Sequence, residues 1–338
     1  MRKEFEKFRG KTVLVTGATG FTGRVLTRKL ANAGANLRVI ARQSSEAGDL
    51  AELDIQWFRG DVFDPELVKS AAQGVHFIFH VAAAFRETHA TEEGYRKVHL
   101  YSTQLLAKEV VGREEFECFL HVSTVGVHGH IEEGLADENY RFAPGDPYQR
   151  TKLEAEEWLL DFAGESGLPC SVIRPGPIYG PGDLRLLKMF RMVSKGFFIM
   201  LGKGKGWYHL VHVDDLSNVM LLAALNPEAR SEAFIAVGDD PIQMVEMARL
   251  IARNIGTRVR VIRLPLWPFY LASDVFAAIC NPLGISPPIY RRRVDFYTKD
   301  RKFDNSKVKR VLGYTFKYDN EKGIEETARW YMDQNLLS

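Results

Sequence analysis

Cysteine is scarce in this chain. Its 338 residues hold three, Cys118, Cys170 and Cys280. They are far apart, odd in number and at no spacing that suits a metal. That argues against a disulfide framework or a thiolate metal centre, and points to reduced thiols in a cytoplasmic protein. Net charge is also slight: 45 Lys and Arg against 43 Asp and Glu leave +2. Mixed charges without a long basic stripe speak against a nucleic-acid partner. Arg291-Arg292-Arg293 is one short run, suited to a solvated face or a local phosphate contact. No uncharged apolar run reaches the ~20 residues that span a bilayer. The nearest, 264–288, contains Asp274 and is broken by Pro265, Pro268, Pro282, Pro287 and Pro288. It reads as a buried lid or as an element lying on a membrane. Met1 to Lys11 is charged and lacks the apolar stretch of a signal peptide. There is no internal repeat, low-complexity stretch or obvious linker.

What is present is alternation. Apolar residues make up 46% of the chain, enough for a large core. Thr12 to Thr16 reads as a buried strand ending in glycines, and Phe21 to Ala33 as a helix stopped at Gly34. Leu37 to Ala41, Ile55 to Arg59, Val75 to Val81, Phe116 to Val122 and Cys170 to Ile173 read as further strands. A helical segment lies around Tyr95 to Val111, and another starts near Tyr148. Strands alternating with helices predict an α/β fold, a Rossmann-type doubly wound parallel sheet. After Pro175 the pattern loosens, with glycine and proline punctuating Gly176 to Gly182 and Gly202 to Gly206. Helices are expected near Asp214 and Gln243, over Asn305 to Leu312 and over Glu321 to Asn335. Residues 1–180 are expected to be mainly a nucleotide-binding domain. Residues 181–338 are expected to be mainly a small C-terminal substrate-binding lobe, with strands and helices returning to the core.

Three short segments carry the chemistry. Thr16 to Gly23 follows a strand and opens a helix. Gly17 allows a tight turn, Gly20 lets backbone approach a pyrophosphate, and Gly23 permits close packing of helix on sheet. Thr19, Phe21 and Thr22 complete this cradle. The spacing is Gly-x-x-Gly-x-x-Gly, and its strand–turn–helix context is what such a motif requires. At the end of the second strand stands Arg42, followed by Gln43, Ser44 and Ser45. A guanidinium there suits a 2′-phosphate or stacks on adenine, which favours NADP(H) over NAD(H). Asp61, followed by Val62, is placed to accept a hydrogen bond from adenine, or to cap the next helix.

Tyr148 and Lys152 stand four residues apart, one turn along one helix face. A tyrosine has pKa of about 10, and a neighbouring ammonium together with the cofactor's positive nicotinamide ring would lower it. Tyr148 would then exchange a proton with a carbonyl or alcohol oxygen, while Lys152 holds ribose hydroxyls. Ser123 and Thr124, at a strand end between the two segments, offer a hydroxyl to orient the reacting oxygen.

With these residues in view, the chain resembles the extended short-chain dehydrogenase/reductases, the NAD(P)-dependent epimerase/dehydratase family. The likeness runs through Thr16–Gly23, Gly60-Asp61-Val62, His80-Val81-Ala82-Ala83 and Ser123-Thr124 with Val127-His128-Gly129. It continues through Tyr148–Lys152, Arg174-Pro175-Gly176-Pro177-Ile178-Tyr179-Gly180-Pro181, His212-Val213-Asp214-Asp215-Leu216, Phe303–Lys307 and Leu312-Gly313-Tyr314. The resemblance implies that Thr124 is the catalytic hydroxyl, with Ser123 just before it. It implies that Ala82 and Ala83 line the cofactor through backbone, and that Pro175, Gly176, Pro177 and Ile178 border the nicotinamide. His128 stands where the family often has tyrosine. His99 stands where it often has an asparagine that orders the proton relay, so His99 is read as either a structural histidine or a relay member. The resemblance also implies a homodimer, packed through the Tyr148 helix and the long helix before it. Leu105, Leu106, Leu153, Trp158 and Leu159 would serve that face, or else face the sheet.

The family spans several reactions. Sugar-nucleotide enzymes often carry an arginine where Tyr208 stands here, and dehydratases a carboxylate where Val125 stands. The C-terminal half is rich in aromatics and aliphatics, including Phe197 to Leu201, Trp207, Tyr208, Trp267, Phe269, Tyr270 and Phe276. The expected activity is therefore hydride transfer between a nicotinamide and a hydrophobic ketone or secondary alcohol, of steroid, flavonoid or terpenoid kind. The alternatives are a sugar-nucleotide epimerase or dehydratase with tightly bound NAD(P), and a non-catalytic cofactor-sensing protein.

Overall fold

The structure is a computed structural model that describes residues 3–84, 91–204, 206–280 and 300–337. Arg291-Arg292-Arg293 and residues 281–288 of the apolar stretch lie outside the described residues. The strands are β1 (Thr12–Thr16), β2 (Asn36–Ala41), β3 (Ile55–Arg59), β4 (Phe77–His80), β5 (Cys118–Val122), β6 (Cys170–Pro175), β7 (Ile178–Tyr179), β8 (Phe197–Leu201), β9 (Trp207–Tyr208), β10 (Val211–His212), β11 (Glu232–Ala236), β12 (Ile242–Gln243) and β13 (Arg260–Leu264). The helices are α1 (Phe21–Asn32), α2 (Pro65–Ala72), α3 (Glu92–Arg96), α4 (Ser102–Val110), α5 (Pro147–Ser166), α6 (Leu187–Ser194), α7 (Val213–Leu225), α8 (Met244–Asn254), α9 (Trp267–Cys280), α10 (Ser306–Leu312) and α11 (Asn320–Asp333). A π-helical turn, Lys97–Tyr101, joins α3 to α4.

Seven parallel strands form the central sheet in the order β11-β6-β5-β4-β1-β2-β3. This is the Rossmann-type doubly wound order, with its reversal between β1 and β4. The strands are near-continuous apolar runs because the sheet is covered on both faces. One layer packs α1, α7 and α10 around Leu26, Leu30, Leu216 and Met220. The other packs α2, α4 and α5 around Leu106, Val110, Leu159 and Ala163. Leu106 and Leu159 therefore face the sheet rather than an outer surface. Leu153 is also buried, while Leu105 and Trp158 are only partly so.

Local signals place the helices that matter. Gly34 takes φ +80° just past α1, a conformation that suits glycine. Asp146 caps α5 by accepting from Gln149 N at 2.6 Å, with Pro147 in the first turn. Gly167 ends α5 in the left-handed conformation. The capping role foreseen for Asp61 falls to Asp64, which accepts from Glu66 N at 3.0 Å and Leu67 N at 3.3 Å.

The outer lobe has its own core of Phe190, Phe198, Met200, Tyr208, Ile251 and Tyr331. Its short pairs are β8 with β13, β9 with β12 and β7 with β10. Among the described residues no helix is long and apolar enough to cross a membrane.

Candidate active site at the carboxyl ends of β1, β4 and β5

The site lies where the strand order reverses, the place at which open parallel sheets leave a crevice. Gly17 sits at φ +73°, and a Cβ there would stand 2.7 Å from Ala82 N. A Cβ on Gly23 would overlap Gly17 O. Gly20 is the N-cap of α1, so the first-turn amides, including those of Phe21 and Thr22, have no intrahelical acceptors. Arg24 reaches back to Thr19 O at 3.3 Å. This turn leaves backbone in place of side chains, which fits a dinucleotide pyrophosphate.

Below the turn, hydroxyls and a buried histidine make an ordered chain. Ala82 N donates to Thr16 Oγ1 at 3.2 Å, Thr16 Oγ1 lies 2.7 Å from His80 Nδ1, and Ser102 Oγ lies 3.0 Å from His80 Nε2. Ser102 donates its own proton to Val98 O at 2.6 Å. The directions follow: His80 donates from Nε2 and accepts at Nδ1. Burial, then the Lys152 charge, hold His80 down to about 3, so it is neutral. Ala83 is exposed, and the next amide, Ala84 N, is bound by His99.

At the end of β2, Arg42 is exposed. Arg59 fastens the turn that follows, donating to Ser45 O at 2.8 Å and lying 4.4 Å over the Trp57 ring. Asp49 further along is held by both Arg24 and Arg28. Asp61 is exposed at the end of β3, and Val62 is half-buried against the core.

Thr124 and Ser123 point to opposite sides of their strand. Thr124 is half-buried, and its Oγ1 accepts from Gly126 N at 3.1 Å, which leaves its own proton to donate. Ser123 is buried, and its Oγ finds no partner among the described residues. His121, on the same side of β5, likewise has both ring nitrogens unpaired.

Lys152 is fully buried, and its Nζ donates to Val122 O at 2.8 Å. Burial pulls its amine down to about 7, with Glu156 resisting. Tyr148 is half-buried. Its phenol is pushed up to about 12 by desolvation, and the cation that opposes this is Arg185. Arg185 is anchored by Asp183 Oδ1 at 2.6 Å and Ile178 O at 2.6 Å, and lies 5.3 Å over the Phe21 ring.

His99 has both nitrogens engaged. Ala84 N donates to Nε2 at 3.1 Å, so Nδ1 carries the proton and donates to Thr151 Oγ1 at 2.8 Å. Thr151 in turn donates to Pro147 O at 2.8 Å. Burial first, and then Lys152, bring His99 down to about 2. A neutral imidazole so tied is a brace between the β4 loop and the first turn of α5. His128 is also structural, lying 2.9 Å from Tyr140 O through Nδ1 and 3.2 Å from Arg174 through Nε2.

Pro175 ends β6, and Gly176 packs so tightly on His209 O that a Cβ would overlap it. Pro177 is exposed and Ile178 half-buried, beside Arg185. Behind α5, Arg174 and Glu156 form a buried ion pair. Sequence reasoning gave no role to this pair, His80 or Arg185, although Arg174 and His80 stood within the matched segments. Glu156 carried a signal, standing two turns beyond Tyr148 on the same helix face. Arg185 carried none.

A Rossmann-type sheet, a glycine cradle at its switch point and a Tyr/Lys pair beside a strand-end hydroxyl define an NAD(P)-dependent oxidoreductase of the extended short-chain kind. The chain belongs to the NAD dependent epimerase/dehydratase family, which it matches over residues 13–238. It is 27% identical over 336 residues to a 3 beta-hydroxysteroid dehydrogenase/Delta 5→4-isomerase of Mycobacterium tuberculosis, covering 95% of this chain and 90% of that protein. It is 25% identical over 339 residues to a UDP-glucose 4-epimerase of Vibrio cholerae, covering 96% and 97%. The crystal structure of gox2253 superposes with a TM-score of 0.82 at 25% identity, covering 97% of this chain and 100% of that one.

Proposed function

We propose that the protein transfers hydride between NADP(H) and a hydrophobic ketone or secondary alcohol. The observation that carries this reading is the character of Tyr208. It is 3% exposed and packed in the lobe core, so an uncharged phenol fills the place where a diphosphate-reading arginine is expected. Val125, beside Thr124, is also apolar and buried, which leaves no carboxylate there to move a carbon-bound proton. The steroid dehydrogenase likeness runs the same way.

The nicotinamide, when bound, gives or takes the hydride. The glycine turn from Gly17 to Gly23 would hold its pyrophosphate, and Arg42 a 2′-phosphate. Lys152 keeps donors for ribose hydroxyls beyond the one given to Val122 O. Thr124 donates to the reacting oxygen and sets its direction. Tyr148 delivers the proton to that oxygen in reduction and takes it back in oxidation. A phenol held protonated by burial favours the reducing role, and Arg185 limits how far its pKa climbs.

A second reading rests on Arg301, which lies 5.8 Å over the Tyr208 ring. That cation could meet a sugar-nucleotide diphosphate, as the UDP-glucose 4-epimerase likeness suggests. The test is fluorescence titration with NADPH and NADH, then a panel of steroid-like and flavonoid-like ketones followed at the nicotinamide absorbance. Net NADPH oxidation that Tyr148→Phe abolishes supports the reductase. Tight cofactor binding with UDP-sugar interconversion and no net oxidation moves the assignment to an epimerase.

A further inference from the structure

The outer lobe carries exposed features to which the roles proposed above assign nothing. Residues 186–203 and 255–273 supply the charged ones. The first segment holds Lys188, Arg191, Lys195 and Lys203, the second Arg258, Arg260 and Arg263, and neither contains an Asp or Glu. In a chain whose charges nearly cancel overall, this is a concentration of one sign. None of the seven has a carboxylate partner among the described residues.

The same two segments, with the rest of α9, also expose apolar side chains. On α9, Trp267, Leu271, Val275 and Ile279 are 69%, 58%, 49% and 57% exposed. They recur every fourth residue, a stripe along one helix side about 18 Å long. Asp274, the one acid of α9, sits at the edge of that stripe. Beside the helix, the β8–β13 ribbon turns Ile199 and Ile262 outward as a cross-strand pair. Leu266, at the start of α9, packs on Gly202 at the end of β8, so helix and ribbon are continuous. At the other end of β8, Leu184, Met192 and Phe197 line a cleft of about 470 Å³ with Lys188, Arg191 and Lys195.

Apolar side chains rimmed by cations, with tryptophan at the boundary, match the chemistry of the headgroup layer. We propose that this face docks on an anionic lipid bilayer. The α9 stripe enters the interface, and the cations of α6 and β13, with Lys195 and Lys203 on either side of β8, meet the lipid phosphates. The docking is peripheral.

The test is flotation of the full chain with phosphatidylcholine vesicles, with and without phosphatidylserine. Binding should require the anionic lipid and weaken with salt. The triple variant Lys188→Gln, Arg191→Gln, Lys195→Gln should weaken it about a hundredfold, at roughly tenfold or less per cation. Trp267→Glu, Leu271→Glu, Ile279→Glu together should abolish it, with an unchanged thermal midpoint since all three are exposed. Quenching of wild-type tryptophan emission by brominated lipid reads the same contact without substitution. Failure to float with anionic vesicles, or flotation indifferent to both variants, overturns the proposal. So does a wild-type dimer, by light scattering, that the glutamate variant splits, because the face would then join two copies of this chain.

Discussion

His99 and Tyr148 meet edge to face, with ring centroids 5.3 Å apart and planes at 86°. The histidine is held from both sides, by Ala84 N and Thr151 Oγ1. The position of Tyr148 thus depends on a buried, neutral imidazole. His99→Phe keeps a ring edge against Tyr148 but leaves the Ala84 amide without its acceptor. It should cost about 1–3 kcal/mol of stability and lower kcat more than cofactor affinity. His99→Asn, which restores a polar partner, should recover much of both. Urea unfolding and steady-state kinetics on the three proteins check this.

Gly23→Ala should abolish cofactor binding. The added methyl overlaps Gly17 O in the turn proposed to hold the pyrophosphate, so the turn must open or the helix must shift. Gly164→Ala, where a Cβ meets nothing within 4 Å, is the matched control on α5 and should bind normally. Fluorescence titration with NADPH reads the difference.

The buried pair Arg174–Glu156 should be costly to break and cheap to replace. Glu156→Leu alone strands a guanidinium and should destabilise by about 3–5 kcal/mol. Arg174→Met added to it should return most of that loss. A double-mutant cycle by denaturant unfolding gives the coupling. Loss in the single variant that persists undiminished in the double would place the cost in packing rather than charge.

Stability of the apoprotein should depend on pH through Lys152 and the buried histidines. An unfolded lysine keeps its proton to about 10.5, while folded Lys152 gives it up at about 7. Between these values the unfolded state binds more protons, so stability rises with pH. Lys152→Met lacks that rise, and its midpoint relative to wild type should fall as pH goes from 7 to 10. His80 and His99 titrate at about 3 and about 2 when folded, against 6.5 when unfolded. Below pH 6.5 the unfolded state takes up their protons, and stability should fall by up to about 1.4 kcal/mol per pH unit for each. Thermal melts across pH 4 to 10 test both limbs.

The central strands were legible because strands buried on both faces are nearly unbroken apolar runs, and the glycines of the dinucleotide turn announce a backbone that no Cβ can share. The two-residue strands β7, β9, β10 and β12 were not, since so short a run has no period to read. His80 and His121 passed as strand residues: the partners of His80, Thr16 and Ser102, come from β1 and α4 and meet it only in the fold, and His121 has no polar partner among the described residues. Asp64 took the capping role offered to Asp61 because the proline after it starts the helix. Arg185 stayed hidden because its place beside Tyr148 comes from a loop folded across Phe21. The aromatic stretch expected to enrich a substrate pocket divides instead: Phe198 and Tyr208 enter the lobe core, while Trp267 and Phe276 face outward.

The seventh strand of the sheet joins late. Strand β11 pairs with β6 only after the chain has passed through α6, β8 and α7. Until then β6 is a bare edge, apolar on both faces and open to pairing with any neighbouring chain. A fragment ending near residue 180 would therefore own the whole dinucleotide turn and both Tyr148 and Lys152, yet expose an aggregation-prone seam. The nucleotide half and the outer lobe are stitched rather than strung together. Recombining this lobe with another member's nucleotide half would need two crossovers around β11, not one junction after β6.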